Sequence, residues 1–161
     1  MKKLLIIRHS KSGWDSSIES DHKRTINADG KAESSIMEIV LRIELNQIEE
    51  VYCSSATRAK MTAETLKIDP QKLSVKDELY TFKHKELGRF IFDLNSTANY
   101  VQIIGHNPGI TDFINLNSNG RIDNVPTTGA MILEWPDAKT WADTEKNKGE
   151  LVFFDCPKNN K

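Results

Sequence analysis

Arg8, His9, Arg58, Glu78 and His106 are the residues of this 161-residue chain whose types could act on one substrate together. Arginine forks match phosphate oxygens, and imidazole can serve as nucleophile, acid or cation. Each residue also has an ordinary reading. A lone histidine after a strand is commonly a surface or capping residue, and Glu78 adjoins Asp77 as in a solvated charge pair. Arg58 is more telling: it falls in the first turn of an expected helix, where the macrodipole opposes a cation and a bound anion would relieve the conflict. Taken together, the set has the composition of a phosphate site. A competing motif, Cys53-Ser-Ser-Ala-Thr-Arg58, approaches the cysteine-phosphatase loop, but only four residues intervene here where that loop has five. Cys53 also falls inside an apolar strand, with no source for a lowered thiol pKa. There is no Walker loop, and no Asp-x-Asp pair follows a strand.

The elements that must position these residues alternate. Lys3 to Ile7 is a continuous apolar run, suited to a strand buried on both faces of a parallel sheet. Asn27 is a candidate N-cap for a helix whose apolar face reads Ala32, Ile36, Ile39, Val40 and Ile43. Val51 to Cys53, a helix from Ala56 to Leu66 introduced by Ser54 and Ser55, and a weak strand from Leu73 to Val75 follow. A helix marked by Leu87, Phe90, Ile91 and Leu94, a strand from Val101 to Ile104 and a helix beginning at Pro108 continue the pattern. Ala130 to Trp135 and Leu151 to Phe154 read as strands, separated by a polar stretch with a short helix around Lys139 to Asp143. The expected fold is α/β: a three-layer open sheet, mostly parallel, finished by an antiparallel edge strand, in one domain spanning residues 1–161. In such sheets ligands bind beyond the carboxyl ends of the strands, which is where the Arg, His and Glu residues fall. The long loop from Ser10 to about Asn27 carries Trp14, Lys11, Asp15, Asp21 and Arg24 and reads as functional.

Composition narrows the partners. Lys and Arg at 22 against Asp and Glu at 23 leave a net charge of −1, so no excess basicity is available for nucleic acid or an anionic membrane. No stretch is apolar enough to span a bilayer, and the run after Met1 stops at Arg8, short of a secretory segment, so a cytoplasmic protein is expected. The two cysteines, Cys53 and Cys156, read as buried thiols.

On these residues the chain resembles the histidine phosphatase superfamily, whose fold is phosphoglycerate mutase-like, and within it the SixA-type phosphohistidine phosphatases. Arg8-His9-Ser10 resembles the family's Arg-His-Gly signature, and Arg24-Thr25-Ile26-Asn27 with Gly30 its Arg-x-Leu-Asn-x-x-Gly stretch. Ser54-Ser55-Ala56-Thr57-Arg58-Ala59 with Thr62-Ala63-Glu64, and Gly105-His106-Asn107-Pro108-Gly109, match two further motifs. Pro126-Thr127-Thr128-Gly129-Ala130 resembles the turn whose amides help hold phosphate. The resemblance implies a phosphatase in which His9 is the nucleophile and Arg8, Arg58 and a protonated His106 offset phosphate charge. Asn107, Thr128 and Gly129 join them in binding, and Glu78 stands as counterpart of the family's proton donor. It implies no metal and no cofactor, since cationic side chains replace the ion. Only one helix's worth of chain, from Lys83 to Asp93, lies where larger relatives insert a lid, so the site should be open and suited to a phosphohistidine on a protein partner. A phosphatase or mutase for small phosphate esters, and a non-catalytic phosphate-binding protein, are the alternatives. Oligomeric state is not legible.

Overall fold

The computed structural model describes residues 1–15 and 17–161. Six strands form one sheet: β1 (Lys2–Arg8), β2 (Glu50–Ser54), β3 (Leu73–Lys76), β4 (Tyr100–Gly105), β5 (Ala130–Trp135) and β6 (Glu150–Asp155). Their order is β3-β2-β4-β1-β5-β6. β1 to β4 are parallel neighbours, β5 runs against β1, and β6 runs against β5. The edge strand β6 thus pairs antiparallel as expected, and its neighbour β5 also runs against β1.

Helices α1 (Ala28–Val40), α2 (Arg42–Gln47) and α3 (Thr57–Thr65) cover one face, while α4 (His84–Phe92) and α5 (Gly109–Asn117) cover the other. Strand β1 shows why its sequence is apolar without interruption. Leu4 and Ile6 enter the core beneath α4 and α5, whereas Leu5 and Ile7 enter the core beneath α1, and all four are fully buried. Each such side chain contributes about 2 kcal/mol of transfer free energy. Among the described residues, no helix is long and apolar enough to cross a membrane.

Helix α1 departs from the apolar stripe expected of it. Asn27 caps it as expected, its side chain accepting from the Gly30 amide. Its buried residues are Gly30, Ser34, Met37 and Glu38, while Ile39 is 65 % exposed and Ile43, expected on the same helix, lies in α2 and is 73 % exposed. Close contact at two small residues determines the rotation. A Cβ on Gly30 would stand 2.2 Å from the Lys11 carbonyl oxygen, and the Ser34 hydroxyl bonds that of Ser10. The helix is thus turned so that its small residues lie against the chain leaving β1, at the expense of burying Ile39.

The expected short helix around Lys139 to Asp143 is a 3-10 turn at Ala142–Glu145. The long loop after β1 is tied to itself by a bridge between Ser12 and Ile26 and contains a 3-10 turn at Asp21–Lys23.

Candidate active site

Strand register brings the two histidines together. Arg8 is level with Gly105 in the β1–β4 pair, so His9 and His106 are the first residues past adjacent strand ends. Their ring centroids are 5.1 Å apart. Cys53 is level with Ile104 in the β2–β4 pair, which puts Ser54 beside them, and His106 Nε2 lies 2.7 Å from the Ser54 hydroxyl. Sequence inspection offered Ser54 and Ser55 as caps for α3, but the N-cap is Ala56 and no side chain caps the helix; Ser54 accepts from the Ala56 amide just before it.

The hydrogen-bond partners settle which ring nitrogen carries each proton. His9 Nδ1 lies 2.8 Å from the Ser10 carbonyl oxygen, which only accepts, so Nδ1–H donates. Its Nε2 lone pair then faces the cavity and receives the Arg58 Nε–H at 3.3 Å. The remaining Arg58 donors reach the Asp21 carbonyl at 2.7 Å, the Asp21 carboxylate at 3.1 Å and His106 Nδ1 at 3.4 Å. Since a guanidinium only donates, His106 Nδ1 is the acceptor and its Nε2–H points to Ser54. Burial first, and then the surrounding guanidinium charges, push His9 down to about 4. Burial, His9 and Arg58 push His106 down to about 2, although Asp21 works the other way. Without an anion in the cavity, His106 is thereby biased toward the neutral imidazole, its Nδ1 accepting from Arg58.

Arg8 donates from Nη1 to the Val125 carbonyl at 2.8 Å, and its buried Nε–H has no partner among the described residues. An unpaired buried donor is costly unless a ligand completes it. Arg8, His9, Arg58 and Asn107 line one cavity of about 340 Å³, together with Lys11, Ser12, Asp21, Arg24, Phe82 and Thr127. Four cations face one carboxylate. Burial opposes the charge on Asp21, but donated bonds from Tyr80 and Arg24 and the Arg58 charge outweigh it and hold the carboxyl down at about 2. Asp21 is thus a fixed anion that braces Arg58.

Three expected residues are placed elsewhere. Glu78 lines a separate, larger cavity of about 630 Å³ with Tyr52, Lys76 and Phe90. The 3-10 turn at Asp77–Leu79 sends Leu79 into the core, and it is Tyr80 that reaches the site, donating to Asp21 at 2.6 Å. The Thr128 amide is committed to the Arg8 and His9 carbonyls and the Gly129 amide to the Pro126 carbonyl, so neither is left for phosphate. Thr128 instead adopts φ 58° and donates its hydroxyl to Ser10 at 2.8 Å. Asn107 lines the cavity, but its amide nitrogen is held by Val125 and its oxygen accepts from Thr111, which anchors the start of α5. The cysteine alternative fails on environment, because burial pushes the Cys53 thiol up to about 12, partly opposed by Lys60.

Sequence reading named Asp21 only as one charge of a functional loop, and missed Tyr80 and Phe82 as site members. The signal for Asp21 was its Asp-x-x-Arg spacing with Arg24, realised as a 3.1 Å ion pair.

No protein-family model matches the chain. It is 30 % identical to the uncharacterized protein Rv1276c of Mycobacterium tuberculosis H37Rv over 94 % of this chain and 100 % of that one. Among solved structures, the protein histidine phosphatase SixA complexed with tungstate superposes with TM-score 0.81 and 22 % identity over 99 % of both chains. A phosphoserine phosphatase of Entamoeba histolytica superposes with TM-score 0.68 and 13 % identity over 96 % of this chain and 97 % of that one. By sequence the chain belongs to one family with the mycobacterial protein, and its fold is the one that the SixA phosphatase structure also has.

Proposed function

We propose that this protein is a phosphatase that works through a phosphorylated His9, and that its substrate is a phosphohistidine on a protein. The observation carrying this reading is the His9 tautomer, whose Nε2 lone pair meets Arg58 Nε–H inside the cationic cavity. His9 Nε2 forms a bond to phosphorus while the phosphorus–nitrogen bond of the substrate breaks and its electron pair goes to the departing imidazole. A substrate ring protonated on its other nitrogen leaves as neutral imidazole. Water then attacks phosphorus, the bond to His9 Nε2 breaks, and inorganic phosphate is released. Nδ1–H on the Ser10 carbonyl stabilises the positive charge of the phosphorylated ring.

Arg8 and Arg58 supply the cationic donors for the equatorial oxygens. His106 starts neutral, and a phosphoryl dianion beside it favours its imidazolium, so one proton enters with the substrate. The anionic Asp21 supports the choice of leaving group. A carboxyl held at about 2 has no proton to give an alkoxide, whereas imidazole brings its own. The SixA neighbour binds tungstate, an oxyanion of phosphate shape, which accords with an anion in this cavity.

Rapid quench with a radiolabelled phosphohistidine protein tests the reading. An acid-labile, base-stable phosphoenzyme should form and be lost in His9→Ala. Turnover that persists in His9→Ala, or faster turnover of sugar phosphates than of phosphohistidine, overturns it.

A further inference from the structure

Phe82 is the one apolar side chain among the ten described residues lining the cavity. Single exposed aromatics are ordinary on protein surfaces, but this one is backed on two sides. Its ring lies 5.5 Å from that of His106 and 5.6 Å from that of Tyr80, both edge-on, and it remains 43 % exposed. The His9 and Phe82 rings thus both neighbour the His106 ring, at 5.1 and 5.5 Å. Its backbone is also set against α5. A Cβ on Gly109 would stand 3.1 Å from the Phe82 carbonyl carbon, so glycine there is what lets the segment approach the helix start so closely.

We propose that Phe82 is the seat of the leaving group, and that this seat selects phosphoryl donors carrying a planar ring at the scissile bond. The imidazole of a phosphohistidine and an aryl oxide both fit that description. The inference rests on the phosphatase reading and names its specificity. In-line displacement sends the leaving group away from the nucleophile. A planar ring departing past His106 meets the exposed aromatic surface in an offset or edge contact, which a tetrahedral carbon cannot reproduce. The polar remainder of the lining deals with the phosphoryl group, which all donors share.

Two measurements separate this seat from the activity itself. Binding of phenylphosphonate and methylphosphonate, neither of which is hydrolysed, is compared by calorimetry in wild type and in Phe82→Ala, Phe82→Leu and Phe82→Tyr. The wild type should prefer the phenyl compound about fivefold or more, the size of one ring–ring contact. Alanine and leucine should abolish that preference and tyrosine restore it. Turnover of phenyl phosphate and of hexafluoroisopropyl phosphate, whose alkoxide leaves about as readily as phenoxide, should show the same pattern. The loss in kcat/KM caused by Phe82→Ala should be about five- to tenfold greater for the phenyl ester. Equal losses on both esters, or a phenylphosphonate preference that survives in Phe82→Ala and Phe82→Leu, overturns the seat. Absence of turnover with an intact phenyl preference in binding overturns the phosphatase reading and leaves the seat standing.

Discussion

Removing the Arg58 guanidinium perturbs the proposed chemistry most sharply. The residue is 2 % exposed and distributes its donors over His9, His106 and both oxygen types of Asp21. In the proposed transition state one of these donors, on a side chain itself buried, turns to an equatorial phosphoryl oxygen. Loss of one such preorganised donor costs about 3 to 4 kcal/mol, so Arg58→Ala should lower kcat by roughly a hundredfold to a thousandfold. The fold should survive, because Asp21 keeps its bonds from Arg24 and Tyr80. Lysine should recover little, since one ammonium cannot span two imidazoles and a carboxylate. The substitution carries a second signature. Arg58 charge contributes to the depression of both histidines, so His9 and His106 should titrate at higher pH in Arg58→Ala. Steady-state kinetics on a phosphohistidine protein measures the first effect, and imidazole NMR titration the second. A loss of less than fivefold in kcat, or a large loss confined to KM, would refute the assignment of Arg58 to the transition state.

Four further outcomes are expected. Glu78→Gln should change turnover of any substrate by less than about twofold, because Glu78 lines the other cavity; a loss near the hundredfold scale of general acid catalysis would return it to the chemistry. Gly30→Ala should destabilise by about 1 to 3 kcal/mol in urea unfolding, as overpacking does, since its Cβ meets the Lys11 carbonyl oxygen at 2.2 Å; wild-type stability would show that α1 can shift freely. Both histidines have native pKa values below the ordinary one, so the unfolded chain takes up protons first as pH falls. Stability is then complete above about pH 6.5 and declines toward pH 4, at about 1.4 kcal/mol per pH unit for each imidazole, with His106→Asn halving the slope. A stability that does not change from pH 7 to pH 5 contradicts the buried neutral pair. Vanadate binding at pH 7 should take up about one proton, read from calorimetry in buffers of different ionisation enthalpy; no uptake would mean that His106 stays neutral throughout.

Much of the fold was legible because alternation and period are local properties. Ala130 to Trp135 reads as a strand and is one, and Asn27 caps α1 as its type and position suggest. The four residues that converge on the cavity were legible for a related reason. Arg8, His9 and Arg58, which line the cavity, and His106, which packs against His9 and Arg58 behind it, each stand at a strand end or in a first helical turn, and an open parallel sheet gathers those points on one rim. The face of α1 was not legible. Its periodicity favoured the isoleucines, but contacts of Gly30 and Ser34 with the chain after β1 outweigh the gain from burying Ile39.

Residue type and order determined that an α/β sheet would carry imidazoles and guanidiniums at the carboxyl ends of its strands. Tertiary structure alone decided which carboxylate and which amides would join them. Asp21 comes from a loop whose course depends on packing against α3 and Tyr80, and Glu78 is turned away because Leu79 must be buried. The Thr128 amide is drawn to the carbonyls at the end of β1 and the Gly129 amide to the turn's own Pro126 carbonyl. Protonation also belongs to the assembled site. An imidazole's charge at pH 7 depends on its burial and on the guanidiniums beside it, and both exist only once β1, β4 and α3 have met.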